Sequence, residues 1–400
     1  MNHIPVANVI LDIDPPSEQV NAASCARVDS GDNPMKKHLL SAALIALAFP
    51  AIAADKNDLG GQCCADLEER IAQLETEVVR KNSKLRLVVY GQVNRAILWH
   101  KIEGESNTKL GVDNALSPTR FGFSGSGKVG DADAGFILEI GATDDNGVTL
   151  RESAVYVGND KLGRIWLGRT QNSVYNIAAV TLANTAMIAS SLKLQPHLTT
   201  LNPLFTDDLG MNGKITHVVK YVSPTVAGFF LSASWSEEKA WDAALRFAGE
   251  FGAIKVAGGV GFSVVPNAGD VSTETLSGSL SAMHMPTGLF LTGSAGEVKN
   301  LPDTWNNIGV TVDRARLWGL QGGIEQTINS LGKTTFYGEY TTVDRVEIGG
   351  AKEDFKADFY GFGVVQAIDA ASTSVYLGYR KYQIEDGSAD VIMGGAVVKF

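Results

Sequence analysis

Apolar and polar side chains alternate with a period of two over most of this chain. In the first such segment Leu87, Val89 and Val93 share one face, while Gln92 and Asn94 lie on the other. A period of two is typical of a β-strand whose two faces meet different environments. Sixteen segments show it, at 84–100, 118–129, 134–144, 149–158, 163–170, 214–223, 228–236, 241–250, 253–264, 274–284, 288–297, 314–326, 333–343, 355–367, 371–383 and 389–400. The sequence therefore predicts an all-β fold.

The connections between these segments favour a closed barrel in a membrane. Short turns are expected at 130–133, 159–162, 224–227, 251–252, 285–287 and 368–370, with mostly longer connections between them. An even number of strands with short turns at one end and longer loops at the other is typical of bacterial outer-membrane barrels. Beyond residue 53 no apolar run reaches the roughly 18 residues of a spanning helix. Closure of the barrel also pairs every backbone polar group within lipid.

One connection is far longer than the others. Residues 170–213 show neither a helical nor a strand period, and they follow the hairpin formed by 149–158 and 163–170. A connection of this length without its own regular structure is uncommon unless it has a function. We expect it to fold into the barrel lumen and narrow the pore.

The N-terminal part of the chain reads as a leader. Lys36 and Lys37 precede an apolar core at 39–49, and Ala51 and Ala53 form an A-x-A cleavage site. This pattern is typical of a secretory signal peptide, here residues 35–53. We expect residues 1–34 to be an upstream extension included by mistake in the reading frame, with a genuine N-terminal extension as the alternative.

Residues 54–83 form a linker with a short heptad pattern before the barrel domain, which is predicted at 84–400. Two readings remain open for this segment: a coiled coil between chains, or a single amphipathic helix at the barrel rim. Cys63 and Cys64 are compatible with a disulfide between chains or with free thiols. The heptad positions are Leu67, Ile71, Leu74 and Val78.

Composition excludes several classes of function. The formal net charge of -10, with no basic cluster, excludes nucleic acid as a partner. Three cysteines cannot supply a disulfide framework, and no Cys/His spacing suits zinc. A barrel enzyme would need a Ser/His pair with an orienting third group, and no such pattern is present. We expect no enzymatic activity and no cofactor.

The last strand carries a further signal. Residues 389–400 alternate and end on Phe400, with Ile392, Ala396 and Val398 on one face. Such a terminal aromatic strand looks like the signal that outer-membrane proteins present to the barrel-assembly machinery. We expect this strand to pair with the first strand and close the ring.

Three stretches carry a family resemblance. Residues 117–126 resemble the SRxGFKG strand of Gram-negative general diffusion porins, 151–169 resemble their RxAxVGL…FGxxxLGR hairpin, and 221–229 resemble their YxSPxFxGF turn. The resemblance covers 84–400, and the segment after the signal peptide resembles that of alphaproteobacterial porins. It implies a 16-stranded, homotrimeric outer-membrane barrel with an inward third loop. It also implies a water-filled channel for passive diffusion of ions and small hydrophilic solutes.

Alternative functions and further partners stay open at this point. One alternative is a substrate-selective channel, with Tyr175, His197, Leu201 and Phe205 of the long connection as a gate. The other is a structural or adhesive barrel tethered to peptidoglycan through Ala54. The expected partners are outer-membrane lipid and lipopolysaccharide, the assembly machinery through Phe400, and two further copies of the chain.

The resemblance also implies a pore constriction in which basic and acidic groups face each other across the lumen. Such a transverse field sets ion preference. The candidates are Arg120, Arg151, Lys214, Gln92, Asp207 and Asp208. The acidic PEFGGD-type tip of the family's third loop is missing, so only Asp207 and Asp208 supply carboxylates there. Weak ion selectivity is therefore expected. The alternative is that the arginines merely pair with Glu139 or Glu152.

Overall fold

The computed structural model describes residues 85–102, 104–142, 147–189, 209–237, 239–267, 271–302, 311–349, 351–353, 357–384 and 387–400. The expected upstream extension, signal peptide and coiled coil lie outside these ranges, as do Asp207 and Asp208. Within the described ranges, no helix has the length and apolar character needed to cross a membrane.

The described residues contain eighteen strands and one 3₁₀ turn, Asp369–Ala371. The strands are β1 Arg86–Ile102, β2 Glu105–Asp113, β3 Arg120–Val129, β4 Ala132–Ala142, β5 Val148–Asn159, β6 Gly163–Gln171, β7 Ile215–Val222, β8 Phe229–Ser236, β9 Trp241–Phe251, β10 Ile254–Pro266, β11 Ser272–His284, β12 Leu289–Leu301, β13 Val312–Asn329, β14 Gly332–Ile348, β15 Ala351–Glu353, β16 Ala357–Ile368, β17 Thr373–Ile384 and β18 Gly387–Lys399.

These strands form one closed antiparallel barrel with 16 strand positions. β2 and β3 occupy one position, because both pair with β1, and β15 and β16 likewise share one position beside β14. The ring closes where β1 pairs with β18, from Gln92 opposite Lys399 to Ile102 opposite Ala389. The predicted 16-stranded barrel and its closure by the terminal strand are confirmed.

The alternation of side chains separates a lipid face from a lumen face. In β8, Phe229, Leu231 and Trp235 are exposed on the outside, whereas Ser232 and Ser234 are buried on the inside. A strand in a membrane barrel presents successive side chains to the two sides, so apolar residues at every second position meet lipid.

The two rims of the barrel differ in their connections. At one end, which we call the short-turn rim, successive strands join within a few residues, as at 130–131 and 160–162. The opposite end, the long-connection rim, carries the longest links. The stretch 101–117, predicted as a connection, instead contains the end of β1 and all of β2, which pair with each other as a hairpin. β2 is polar and largely exposed, and it therefore lacks the alternation that reveals the other strands.

The described parts of the third connection, residues 172–189 and 209–214, fold into the lumen as predicted. Their residues are mostly buried, and Val180, Leu182, Met187 and Ile188 lie in an apolar cluster with lumen-facing side chains that include Leu98. Full burial of an apolar side chain of this size contributes about 1.5–3 kcal/mol. These contacts hold the connection inside the barrel.

Candidate functional site

A β-bulge brings the first part of the site together. β4 and β5 pair with Glu139 opposite Glu152 and Ile140 opposite Leu150, which leaves Arg151 as the extra residue. A bulge re-aims the side chains around it. Arg151 and Glu152 are adjacent in sequence, yet both reach lumen-side partners. Strict alternation would place one of them in lipid.

Arg120 and Arg151 share one carboxylate. Nε of Arg151 lies 2.7 Å from Oε1 of Glu139, and Nε of Arg120 lies 3.4 Å from Oε2 of the same residue. The two arginine side chains are 24% and 21% exposed, whereas that of Glu139 is 6% exposed. The pairing considered as an alternative is therefore present, and both guanidinium groups still reach open lumen. This trio carries one net positive charge.

A second lumen carboxylate lies beside this trio. Glu152 accepts hydrogen bonds from Oγ1 of Thr170 at 2.6 Å and from Nε2 of Gln171 at 3.2 Å. Both donors end β6, where the third connection begins. Glu152 thus ties the base of the third connection to the wall. It balances much of the positive charge of the trio.

The third connection approaches this wall with Tyr175. Arg151 and Arg120 both lie close enough to the Tyr175 hydroxyl to act on it electrostatically. Burial raises the pKa of the Tyr175 hydroxyl above its ordinary value, so the hydroxyl stays protonated. Tyr175 therefore lies within the lumen and faces the part of the wall that carries Arg120 and Arg151.

Two buried charged residues of β9 fix the position of Tyr175. Arg246 donates from Nη2 to the carbonyl of Tyr175 at 2.7 Å and from Nη1 to that of Ser173 at 2.8 Å. Asp242 accepts from the Ser173 amide at 2.7 Å and from Asn172 Nδ2 at 3.1 Å. Hydrogen bonds to charged groups contribute about 1.5–3 kcal/mol each, so this segment is firmly held.

A row of hydroxyls on β11 holds the next part of the connection. Ser279 Oγ accepts from the amide of Val180 at 3.1 Å and donates to the carbonyl of Ile177 at 2.7 Å. Ser281 Oγ accepts from the amide of Leu182 at 3.0 Å. Hydroxyls at every second position, 273–281, are the sequence signal that could have revealed this anchor.

The other two described candidates, Gln92 and Lys214, have hydrogen-bond partners different from those of the arginines. Gln92 is 5% exposed and donates from Nε2 to Ser117 and Pro118, so it holds the 114–119 connection. Lys214 is exposed just before β7, and its backbone bonds Asn172. The structure therefore brings Arg120 and Arg151 together on Glu139, whereas Gln92, opposite Arg120 across the β1–β3 pair, turns its side chain to the 114–119 connection.

No metal site is evident in the described part of the chain. Among these residues, no group of three or more His, Cys, Asp and Glu could hold an ion. Several polar side chains of the described lumen, among them Glu139, Glu152 and Asp242, instead bind other wall residues or the third connection. The arrangement can interact with charged and dipolar solutes through its guanidinium groups and the Tyr175 hydroxyl.

Comparisons with known proteins agree with this architecture. The profile of a family described as Gram-negative porin matches residues 40–387. The anion-selective porin from Comamonas acidovorans is similar in structure, with a TM-score of 0.58 and 16% identity over 79% of this chain and 100% of that chain. No curated protein sequence matches this chain.

Two further solved structures share the fold. OmpF of Salmonella typhi in complex with daunomycin has a TM-score of 0.56 and 14% identity, covering 80% of this chain and 99% of that chain. The trimer form of OmpT, an outer membrane protein of Vibrio cholerae, has a TM-score of 0.55 and 14% identity, covering 80% and 100%. The family match spans most of the chain, and the barrel with its inward connection accounts for it. The chain belongs to the Gram-negative porin family and forms an outer-membrane channel for the passive diffusion of small solutes.

Proposed function

We propose that solutes pass a constriction between Tyr175 and the wall formed by Arg120 and Arg151, and that ion selectivity there is weak. The observation that carries this proposal is the sharing of Glu139 by both arginines. Two guanidinium groups on one carboxylate, with Glu152 beside them, leave a local charge close to neutral. The formal charge of -10 for the whole chain is a poor guide, because charges on outer loops are screened beyond about 8 Å at physiological salt.

The position of the third connection supports our proposal of a narrow pore for general diffusion that has no enzymatic activity. Its buried residues cover the lumen face of β9 to β13 through contacts with Asp242, Ser279 and Glu325. Free passage is thereby confined to the side of the lumen that carries the arginines. Asp207 and Asp208 remain proposed as acidic groups of the same connection, and Lys214 and Gln92 as polar groups of the wall.

Liposome swelling with sugars of graded size tests the general-diffusion proposal. We expect a sharp mass cutoff and rates that rise linearly with sugar concentration, because no dedicated binding pocket controls passage. Rates that saturate with one sugar would instead establish a substrate-selective channel. Liposomes that contain heat-denatured protein provide the control.

We also propose that three chains assemble through the outer faces of β1 and β18. Exposed apolar side chains on these strands include Val93, Ile97, Ile392 and Val398, and the OmpT neighbour has a trimer form. Arg95 lies among them and donates to the Gly111 carbonyl at 3.2 Å. A charge at this position is costly in lipid and tolerable in an interface. A heat-labile oligomer on unboiled gels is expected, and a monomer after mild extraction would contradict the proposal.

Export, insertion and tethering complete the proposal. A leader at 35–53 directs the chain through the inner membrane and is cleaved, so that the mature chain starts at Ala54. Phe400 then engages the barrel-assembly machinery, and the finished barrel contacts outer-membrane lipid and lipopolysaccharide. Ala54 is a proposed attachment point for peptidoglycan. Mass measurement of the mature N-terminus, with and without muramidase treatment of sacculi, tests cleavage and tethering.

A further inference from the structure

We propose that Lys399 and Arg120 form a subsite for small oxyanions, such as inorganic phosphate or a carboxylate, on the channel wall. Lys399 is the last residue of β18, and alternation places it on the lumen side. Val397, two residues earlier, is 1% exposed inside the barrel, whereas Val398 is 45% exposed on the outside. This inference rests on the proposed channel function and names a binding step within it.

Strand pairing where the barrel closes places Lys399 and Arg120 in one row of residues across three neighbouring strands. Lys399 lies opposite Gln92 across the β18–β1 pair, and Gln92 lies opposite Arg120 across the β1–β3 pair. Neighbouring strands are about 4.8 Å apart, so the backbones of Lys399 and Arg120 are about 10 Å apart. Both side chains are long, and the Arg120 charge acts on the Lys399 ammonium. The two cations are thus close enough to contact a single anion.

Gln92 leaves room between them. Its amide donates to the Ser117 carbonyl at 3.0 Å, to Ser117 Oγ at 2.9 Å and to the Pro118 carbonyl at 2.9 Å. The side chain therefore turns toward the 114–119 connection, although its backbone lies between Lys399 and Arg120. It contributes no charge that would neutralise either one.

The surrounding carboxylates bind groups other than Lys399. Glu139 is shared by Arg120 and Arg151, Glu152 accepts from Thr170 and Gln171, and Asp113 accepts from the Thr119 amide. In the described ranges, Lys399 makes no ion pair and no side-chain hydrogen bond. A half-buried ammonium without a counter-charge favours a bound anion.

The chemistry of the pair selects the class of ligand. A guanidinium presents a planar fork of donors that matches the oxygens of phosphate or carboxylate, and an ammonium adds a compact point charge. One side of the anion would meet Arg120 and the other Lys399. The subsite adds a binding step for oxyanions at this wall, beside the weak ion selectivity proposed for the constriction.

Planar bilayer recordings on the folded full-length channel test the subsite with inorganic phosphate as the probe. Lys399→Gln removes the charge, Lys399→Arg retains it, and Lys255→Gln is the matched control. Lys255 also faces the lumen, on β10, but lies 3.9 Å from Glu250 and far from this row in the sheet. Each barrel is first checked for the heat-dependent gel shift of a folded protein. If the Lys399→Gln channel does not insert into the bilayer, the Lys399→Met channel is used in its place, because methionine keeps the apolar part of the lysine side chain.

We expect phosphate to reduce chloride current in the native channel. In Lys399→Gln the phosphate concentration for half-reduction should rise about threefold, the effect of one charge at about 6 Å in water. Lys399→Arg and Lys255→Gln should retain the native value. Native phosphate sensitivity in a folded Lys399→Gln or Lys399→Met channel overturns the subsite. Absence of any conductance in the native protein would instead refute the channel itself.

Discussion

Replacing Arg120 and Arg151 together by glutamine should turn the channel toward cations. The two arginines and Glu139 carry one net positive charge, and the double variant carries one net negative charge if Glu139 stays ionised. Glutamine keeps most of the side-chain volume, so the electrostatic change dominates over any widening of the pore. The perturbation is thus a reversal of local charge.

The magnitude follows from Coulomb's law. A unit charge about 6 Å from a permeating ion in water contributes about 0.7 kcal/mol, so a change of two units contributes about 1.4 kcal/mol. This energy corresponds to about a tenfold change in the local concentration of each ion sign.

Reversal potentials in a potassium chloride gradient measure this change. The shift toward cation preference should be large near 0.1 M salt, where the screening length is about 10 Å, and small near 1 M, where it is about 3 Å. Glu139→Gln is the matched opposite variant and should shift the potential toward anions. An unchanged reversal potential at low salt in a folded double variant would show that these side chains do not line the constriction.

Three further variants probe the packing around the pore. Asp242→Asn weakens the bond to the buried Ser173 amide, so protease cleavage within the third connection and channel noise should both increase. Arg380→Met leaves Glu339, 2.8 Å away and buried, without its counter-charge, and should cost about 3–5 kcal/mol, seen as a lower unfolding temperature on gels. Gly168→Ala places a side chain at φ +131 against the Ser153 carbonyl and should reduce the yield of folded barrel, whereas Gly293→Ala, whose new methyl group lies 3.9 Å from Leu320, should not.

Strand positions were predictable because lipid imposes a local rule on each strand. β9, for example, was predicted at 241–250 and spans Trp241–Phe251. The β2 segment Glu105–Asp113 was not predictable, because both of its faces are exposed over most of its length and its side chains show no alternation. Alternation disappears wherever the two sides of a strand share one environment.

The candidate site was less predictable, because it depends on register. Arg151 reaches partners on the lumen side because of a β-bulge. A period of two residues in the sequence cannot reveal such a bulge. Lys399 becomes a neighbour of Gln92 only through closure of the ring. The third connection shows no period because its residues bond different strands in turn, among them Asp242, Ser279 and Glu325.

The closing pair of the ring has a consequence for the timing of folding. The amide of Gly91 donates to the carbonyl of Phe400 at 2.9 Å, and the amide of Phe400 donates back at 3.0 Å. These bonds join opposite ends of the described chain, and pairings so distant in sequence form slowly. Until β18 has been synthesised and exported, β1 and the last available strand both present open edges that invite pairing with other chains. The same pairing of β1 with β18 brings Lys399 close to Arg120. Closure of the barrel and completion of the proposed oxyanion subsite therefore occur in one step.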